Sequence, residues 1–429
     1  MPFLADLRRL LKGARFRELF VVRLTSQAAD GVFQVSLASY VLFSPQDKPN
    51  ARAIAAGLAA LLLPFSILGP FVGVFLDRWR RRNVLVWANL VRLAPVAATA
   101  AMVAAGAKGV WLFVLVLLAL SVNRFLLAGL SAALPHVVAR RELLLANSLT
   151  PTSGTIAFMV GLGLASGIRP LVPGGNPDVV LVLVSGLGYL GAALLALRMP
   201  ADLLGPDYDP DRPQVREALG NVVLGLGDGL RHLQERTTPA AALAVIAVHR
   251  FLYGLTTVAT ILLYRNYFHD SHDTDAALRG LATAVLVSGL GFFAAAVLTP
   301  LATTRLTPQH WIVVLLGLSA VVDLMPAALF TQWGILVAAF GLGVSAQGVK
   351  ICVDTLVQMG VDDAFRGRVF ALYDVIFNLV FVAAAAVGAY VIPTSGKSYA
   401  LLICVSLGYA GAAVGYAVLP GRLSLAAAT

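Results

Sequence analysis

The chain has 429 residues, of which 59% are hydrophobic and only 13% are charged. Soluble domains carry about 25% charged residues, so this composition excludes an ordinary soluble protein and indicates a polytopic membrane protein. The formal net charge of +10 is spread over loops between apolar stretches, so we expect contacts with membrane lipid headgroups and no nucleic-acid partner.

Apolar stretches long enough to cross a bilayer core of about 30 Å recur along the whole chain. We predict twelve spans, at residues 19–43, 53–76, 84–106, 110–133, 147–169, 179–198, 239–266, 277–301, 310–330, 333–358, 367–392 and 398–420. Whole runs such as 110–120 are continuously apolar, without the alternation of membrane β-barrel strands. The predicted fold class is therefore all-α.

The first stretch contains Arg23, Gln27 and Asp30, which argues against a cleavable signal peptide. Residues 1–18 combine an apolar face with a basic face, so we predict an interfacial amphipathic segment there. Basic residues in the segments 8–17, 78–82, 140–141, 366–368 and 422 fall on one side of the predicted topology. The positive-inside rule then predicts an inner (plasma) membrane protein with both termini in the cytoplasm.

The longest polar segment, residues 199–238, opens with a Pro- and Asp-rich stretch and continues with apolar residues at helical spacing. We predict a cytoplasmic linker with an amphipathic helix, between six-helix halves at 19–198 and 239–420, followed by a tail at 421–429. Cys352 and Cys404 are far apart in sequence, so we expect neither a disulfide framework nor a metal site, and no cofactor.

A short basic run follows a single acid between the second and third stretches, with Gly73, Asp77, Arg78, Arg81 and Arg82. On this loop motif the chain resembles the major facilitator superfamily over essentially its full length. It is most similar to the branch of drug, macrolide and siderophore exporters at residues 17–20, 30–31, 63–82, 229–231 and 366–370. Arg80 stands where the superfamily motif often has glycine, and the fifth stretch lacks the Gly-Pro pair of many antiporters.

The loop motif predicts a cytoplasmic gate. Asp77 would cap the amino terminus of the eleventh helix near Arg366, where the helix dipole favours a negative charge. Arg92, within the third stretch, would either serve this gate or balance Asp30, and the sequence leaves both open.

Polar residues inside the spans repeat at intervals of three and four, which places them on single helical faces. The resemblance implies that the first, fourth, seventh and tenth helices line a substrate pathway. The predicted substrate-binding residues on these helices are Gln27, Phe33, Gln34, Asn123, Arg124, Arg250, Phe251, Tyr253, Gln347 and Lys350.

Arg124 and Arg250 are the strongest candidates because a charge at mid-bilayer is costly and usually faces a cavity or a partner. Arginine offers a planar fork for phosphate, carboxylate or sulfate, which predicts an anionic, amphipathic substrate. The structural alternative is that the arginines pair internally with Asp30 or Asp354. The predicted proton-coupling residues are Asp30 first, then His249, Asp354 and Asp374.

The leading hypothesis is a secondary active transporter, a proton-coupled exporter of a small amphipathic anion or a lipid by alternating access. A broad-specificity drug efflux pump, an importer of a small anion, and a non-transporting receptor or scaffold remain alternatives. The sequence shows no nucleotide-binding or catalytic motif, so we expect neither an enzyme nor an ATP-driven pump. We also expect a monomer.

Overall fold

The computed structural model describes residues 8–37, 76, 79–107, 110–172, 176–206, 222–268, 274–325 and 327–418. Every regular element in these ranges is helical, as the sequence predicts. The longer helices are α1 (Ala14–Leu37), α2 (Arg81–Val91), α3 (Leu93–Ala104), α4 (Val110–Ala133), α5 (Leu143–Ile168), α6 (Pro177–Leu197), α7 (Val222–Gln234), α8 (Thr237–Asn266), α9 (Thr274–Ala302), α10 (Pro308–Leu324), α11 (Gln332–Gly360), α12 (Asp363–Val391) and α13 (Tyr399–Val418).

Within these ranges, nine helical stretches are long and apolar enough to cross a membrane, and α10 is a shorter apolar helix. The predicted second span, 53–76, lies outside the described residues except for its last position. Also outside the described residues are 1–7 of the amino-terminal segment, 207–221 of the linker and the whole predicted tail.

The third predicted span, 84–106, corresponds to one candidate membrane span, Arg81–Ala104, with a local break in its helical hydrogen bonds. Arg92 separates α2 from α3, and Pro95 follows three residues later. Proline has no backbone N–H, so the carbonyl of Val91 loses its usual helical partner, and the ladder resumes with Val96 N–H donating to Arg92 O at 3.1 Å. The sequence contained this signal, because a proline inside an apolar stretch weakens the helix at that point.

Residue contacts group the chain into two compact units. The first contains the described residues up to Leu230 together with Asp362–Asp374, and the second contains Arg231–Val361 and the residues from Val375 onward. Helix α12 therefore begins in the first unit and ends in the second. The boundaries of the two predicted six-helix halves stay a prediction.

Among the described residues, each unit contains a helix crossing in which glycines allow the backbones to touch. In the first unit Gly31 of α1 meets Gly161 of α5, and in the second Gly291 of α9 meets Gly343 of α11. A Cβ atom added at any of these four positions would lie against a backbone carbonyl oxygen of the facing helix. Only glycine permits this approach, which fixes α1 on α5 and α9 on α11.

Candidate functional site

The first unit buries an ion pair between Asp30 of α1 and Arg92 at the α2–α3 break. Two more side chains donate hydrogen bonds to the same carboxylate: Tyr189 through its hydroxyl and Gln27 through its amide, both at 2.8 Å. Asp30 is 2% exposed and Arg92 is fully buried. The carboxylate thus contacts one cation and two neutral hydrogen-bond donors.

Arg92 is fixed by further contacts. Its Nη1 donates to Ser26 Oγ at 3.2 Å, and the hydroxyl of Ser26 donates to Asn89 Oδ1 at 3.0 Å. The guanidinium carbon also lies 3.7 Å from the centre of the Tyr189 ring. Of the two roles considered for Arg92, the structure therefore shows that it neutralises the charge of Asp30.

The sequence reasoning missed Tyr189 and Ser26. A tyrosine inside an apolar span needs a partner for its hydroxyl when it is buried, and this signal pointed to a polar contact in α6. The proton-coupling role of Asp30 stays a prediction, and Arg92 is the cation that protonation of Asp30 would release.

Other predicted binding residues of the first unit are divided between core and surface. Phe33 is 1% exposed and belongs to a hydrophobic cluster with Val96, whereas Gln34 is exposed. Asn123 and Arg124 of α4 are half-buried. The predicted polar face of α1 is thus not uniform, because α1 turns one side towards α5 and α6.

At one end of the first unit, Arg81 is the centre of a cluster of polar contacts. It is fully buried, and its Nη1 lies 3.0 Å from Asp363 Oδ1 and 2.8 Å from His136 Nε2. The same group approaches the carbonyl oxygens of Ala132 and Leu204 at 3.2 and 3.3 Å. Arg81 thus connects the end of α4, the segment after α6 and the start of α12.

His136 Nε2 also lies 3.0 Å from Asp363 Oδ1. A ring nitrogen accepts a hydrogen bond when it is unprotonated and donates when it carries a hydrogen. His136 Nε2 can therefore accept from Arg81 when it carries no hydrogen. It can donate to Asp363 when it carries one.

Gly205 completes this cluster. Its carbonyl accepts from the Arg81 backbone N–H at 2.9 Å, and its φ of +72° is in the left-handed region that favours glycine. A Cβ atom here would lie 2.7 Å from the His136 ring, so the cluster requires glycine for space as well as conformation.

The predicted gate residues fall partly within this cluster. Arg366 forms an ion pair with Asp363 in the first turn of α12, while Arg82 donates to Asn83 Oδ1 at 3.0 Å. Gly73, Asp77 and Arg78 lie outside the described residues. The sequence reasoning missed Asp363 and His136, although an acid in the first turn of a helix is a recognisable signal.

In the second unit, Arg250 of α8 packs against aromatic rings. Its guanidinium carbon lies 4.1 Å from the ring centre of Phe377 and 4.2 Å from that of Phe381, both on α12. The ring of Tyr253 is 5.9 Å away. Arg250 remains half-buried, so a cation stacked on aromatic rings stays partly accessible.

His249, next to Arg250 in sequence, points into the unit instead. It is 3% exposed and its ring centre lies 6.2 Å from that of Tyr253 and 5.4 Å from that of Tyr409. Its coupling role stays a prediction, as does that of half-buried Asp374.

Helix α11 contains a charge pair of its own. Lys350 Nζ lies 2.7 Å from Asp354 Oδ2, with the lysine side chain 35% and the aspartate 5% exposed. The prediction that Gln347, Lys350 and Asp354 share one face agrees with this i,i+4 contact. Gln347 and Phe251 are half-buried.

A cavity of about 170 Å³ lies within the second unit between α8, α9 and α11. Its α8 wall carries Tyr253, Thr256, Thr257 and Thr260, α9 contributes Ser288, and apolar residues such as Leu342 line the rest. Within the described ranges, the structure contains no group of three His, Cys, Asp or Glu side chains able to hold a metal ion.

The family model described as Major Facilitator Superfamily matches residues 19–385 of the chain. An uncharacterized MFS-type transporter of Mycobacterium tuberculosis is 39% identical over 387 residues, which cover 89% of this chain and 86% of the relative. Macrolide efflux protein A of Streptococcus pyogenes is 22% identical over 408 residues, covering 92% and 94%. The crystal structure of a bacterial homologue of the iron transporter ferroportin in an outward-facing state matches with a TM-score of 0.64 at 16% identity, covering 94% and 99%, a likeness of fold alone.

Proposed function

The chain belongs to the Major Facilitator Superfamily, whose members are membrane transporters and not enzymes, and from that premise we propose that it exports an amphipathic organic anion. The proposal includes secondary active transport by alternating access in the plasma membrane, with both termini in the cytoplasm. No nucleic acid, cofactor or resident metal enters it.

The observation that carries the substrate class is the surroundings of Arg250. A half-buried guanidinium over the rings of Phe377 and Phe381 offers charge and apolar surface at one place. The anionic group of a ligand would bind the fork of the guanidinium, and its apolar part would lie on the rings. Arg92 is unsuited to that role, since it is fully buried and bonded to Asp30.

Export is proposed from the likeness to macrolide efflux protein A and from the resemblance to the exporter branch. The Arg81 cluster supports a gating step. Asp363 lies in the first turn of α12, which continues into the second unit from Val375 onward. Release of Asp363 from Arg81 would therefore free one end of a helix that belongs to both units.

Transport into inverted membrane vesicles tests the proposal. We expect accumulation of taurocholate, an amphipathic anion, driven by a proton gradient. Arg250→Ala should reduce the initial rate at least tenfold, and Arg250→Lys should restore only part of it because lysine lacks the planar fork. Arg265→Lys, near the end of the same helix, is the matched control and should transport normally.

The broad drug-efflux alternative predicts a different result. If rhodamine 6G, a cation, or erythromycin, a macrolide, accumulates and taurocholate does not, the anion proposal is wrong. Equal taurocholate rates in the wild type and Arg250→Ala would also contradict it.

A further inference from the structure

Three helix ends lie at one membrane surface of the second unit. Helix α8 ends at Asn266, α12 ends at Val391 and α13 begins at Tyr399. The side-chain amide of Asn266 donates to the carbonyl of Thr394 at 2.6 Å, which joins the end of α8 to the loop before α13. Because α8 begins after the predicted cytoplasmic linker, the predicted topology places these ends at the outer surface of the membrane.

Gly396 fixes the loop before α13 against α8. Its φ of +77° is in the left-handed region that favours glycine. A Cβ atom there would lie 2.6 Å from the backbone nitrogen of Leu263 and 2.8 Å from the carbonyl oxygen of Ala259. A larger residue would push the loop away from the helix. The backbone of the next residue, Lys397, is therefore held close to α8.

Aromatic residues hold the ammonium group of Lys397. Its Nζ donates to Tyr267 Oη at 2.9 Å and lies 5.3 Å from the centre of the Phe330 ring. The Phe330 ring packs edge-on against Tyr399, with the ring centres 5.0 Å apart. Phe330 has a φ of +48°, which is costly for a bulky residue, so the packing of its ring keeps it there. The cation is thus placed by its aromatic neighbours.

Lys397 and Tyr267 together offer two hydrogen-bond donors. An ammonium group carries three N–H bonds, and among the described residues only Tyr267 Oη accepts one of them. Because Tyr267 accepts that bond, its own O–H hydrogen is left for another acceptor. Two donors 2.9 Å apart, one of them charged, match neighbouring oxygens of one phosphate, sulfate or carboxylate group. The pair therefore suits an oxyanion.

An apolar stripe begins beside this pair and continues along α13. Tyr399, Ile403 and Leu407 are spaced by four residues, which places them on one helical face, and each is at least half exposed. Tyrosine at a helix end is typical of the level of the lipid headgroups, and the apolar residues that follow it contact acyl chains. The stripe thus begins at headgroup level and continues into the acyl region.

We propose that Lys397 and Tyr267 bind the phosphate of an anionic phospholipid in the outer leaflet, with one acyl chain along the stripe of α13. A free oxyanion fits the same two donors, but only a lipid also uses the stripe. Lys397 favours a headgroup without a cation, because like charges repel. This lipid site does not depend on the proposed export function.

Native mass spectrometry of the full chain in detergent tests the site. Dioleoylphosphatidylglycerol is the probe, dioleoylglycerol is the lipid without phosphate, and glycerol 3-phosphate is the headgroup without acyl chains. We expect Lys397→Ala to weaken the binding of phosphatidylglycerol about tenfold, as for the loss of a hydrogen bond to a charged group. Arg305→Ala removes another exposed cation of the second unit and should leave the dissociation constant unchanged.

The matched pair is Tyr267→Phe and Tyr399→Phe. Both variants keep the aromatic ring, and only Tyr267 has its hydroxyl at Lys397. We expect Tyr267→Phe to weaken the binding of phosphatidylglycerol and Tyr399→Phe to leave it unchanged. Both variants should retain the melting temperature of the wild type.

Equal binding of phosphatidylglycerol to the wild type and Lys397→Ala would overturn the phosphate contact, and so would equally tight binding of dioleoylglycerol. If glycerol 3-phosphate bound as tightly as phosphatidylglycerol, the site would be one for a free oxyanion and the lipid assignment would be wrong. An equal loss in Arg305→Ala would show that net charge alone attracts the lipid. None of these outcomes depends on whether taurocholate is exported.

Discussion

The two units bury charged residues in different ways. In the first, Asp30 and Arg92 are bonded to each other and enclosed by Tyr189 and Gln27. In the second, Arg250 lies on phenylalanine rings and Asp323 accepts from a threonine hydroxyl. A closed pair mainly holds helices together, whereas a half-buried cation on aromatic rings stays partly accessible.

The largest expected effect is the loss of the closed pair. Arg92→Gln or Asp30→Asn alone should lower the free energy of unfolding by about 3–5 kcal/mol, because each leaves a buried charge without its partner. The double variant should recover part of that loss. Denaturation of the purified protein in detergent measures these changes.

Asp354→Asn is the matched variant in the second unit. Lys350 is 35% exposed, so loss of this pair should lower the free energy of unfolding by about 1 kcal/mol or less. If Asp30→Asn were no more destabilising than Asp354→Asn, the distinction between the two units would fail.

Glycine crossings should be equally sensitive in the two units. Gly161→Ala and Gly343→Ala each place a methyl group against a backbone carbonyl, which cannot move aside as a side chain can. We expect each substitution to lower the free energy of unfolding by about 1–3 kcal/mol through overpacking.

The controls are Gly163, two residues after Gly161 on α5, and Gly289, two residues before Gly291 on the facing helix α9. Gly163 and Gly289 have open space where a Cβ would stand, so alanine should be neutral or slightly stabilising there. Measurement of the melting temperature is sufficient, and a stable Gly161→Ala protein would show that the α1–α5 contact is looser than described.

A smaller effect than at the glycine crossings concerns the rings around Arg250. Phe377→Leu removes a ring 4.1 Å from the guanidinium. It should lower the free energy of unfolding, measured by denaturation in detergent, by about 1–2 kcal/mol. Phe365→Leu removes a ring 4.5 Å from Arg368 and is the matched variant at the start of α12. If Phe365→Leu lowered the free energy of unfolding more than Phe377→Leu does, a special role for Arg250 would be contradicted.

Several features of the site were predictable from residue spacing. Gln27 lies three residues before Asp30, and Lys350 lies four residues before Asp354, so a helix brings each pair together without help from the fold. Arg250 was identified as a deep cation from its position in an apolar stretch alone. Phe33, chosen for its place beside the polar face of α1, packs in the core instead.

The sequence by itself determined the helical fold class and the membrane, because continuous apolar stretches can satisfy their backbone groups in lipid only as helices or closed barrels. The loop motif in the sequence also indicated the family. Only the tertiary structure decided the partner of each charge. Arg92 could serve a gate or balance Asp30, and these two residues are 62 positions apart. Spacing within one helix says nothing about contacts over such a separation, because these depend on how the helices rotate and cross.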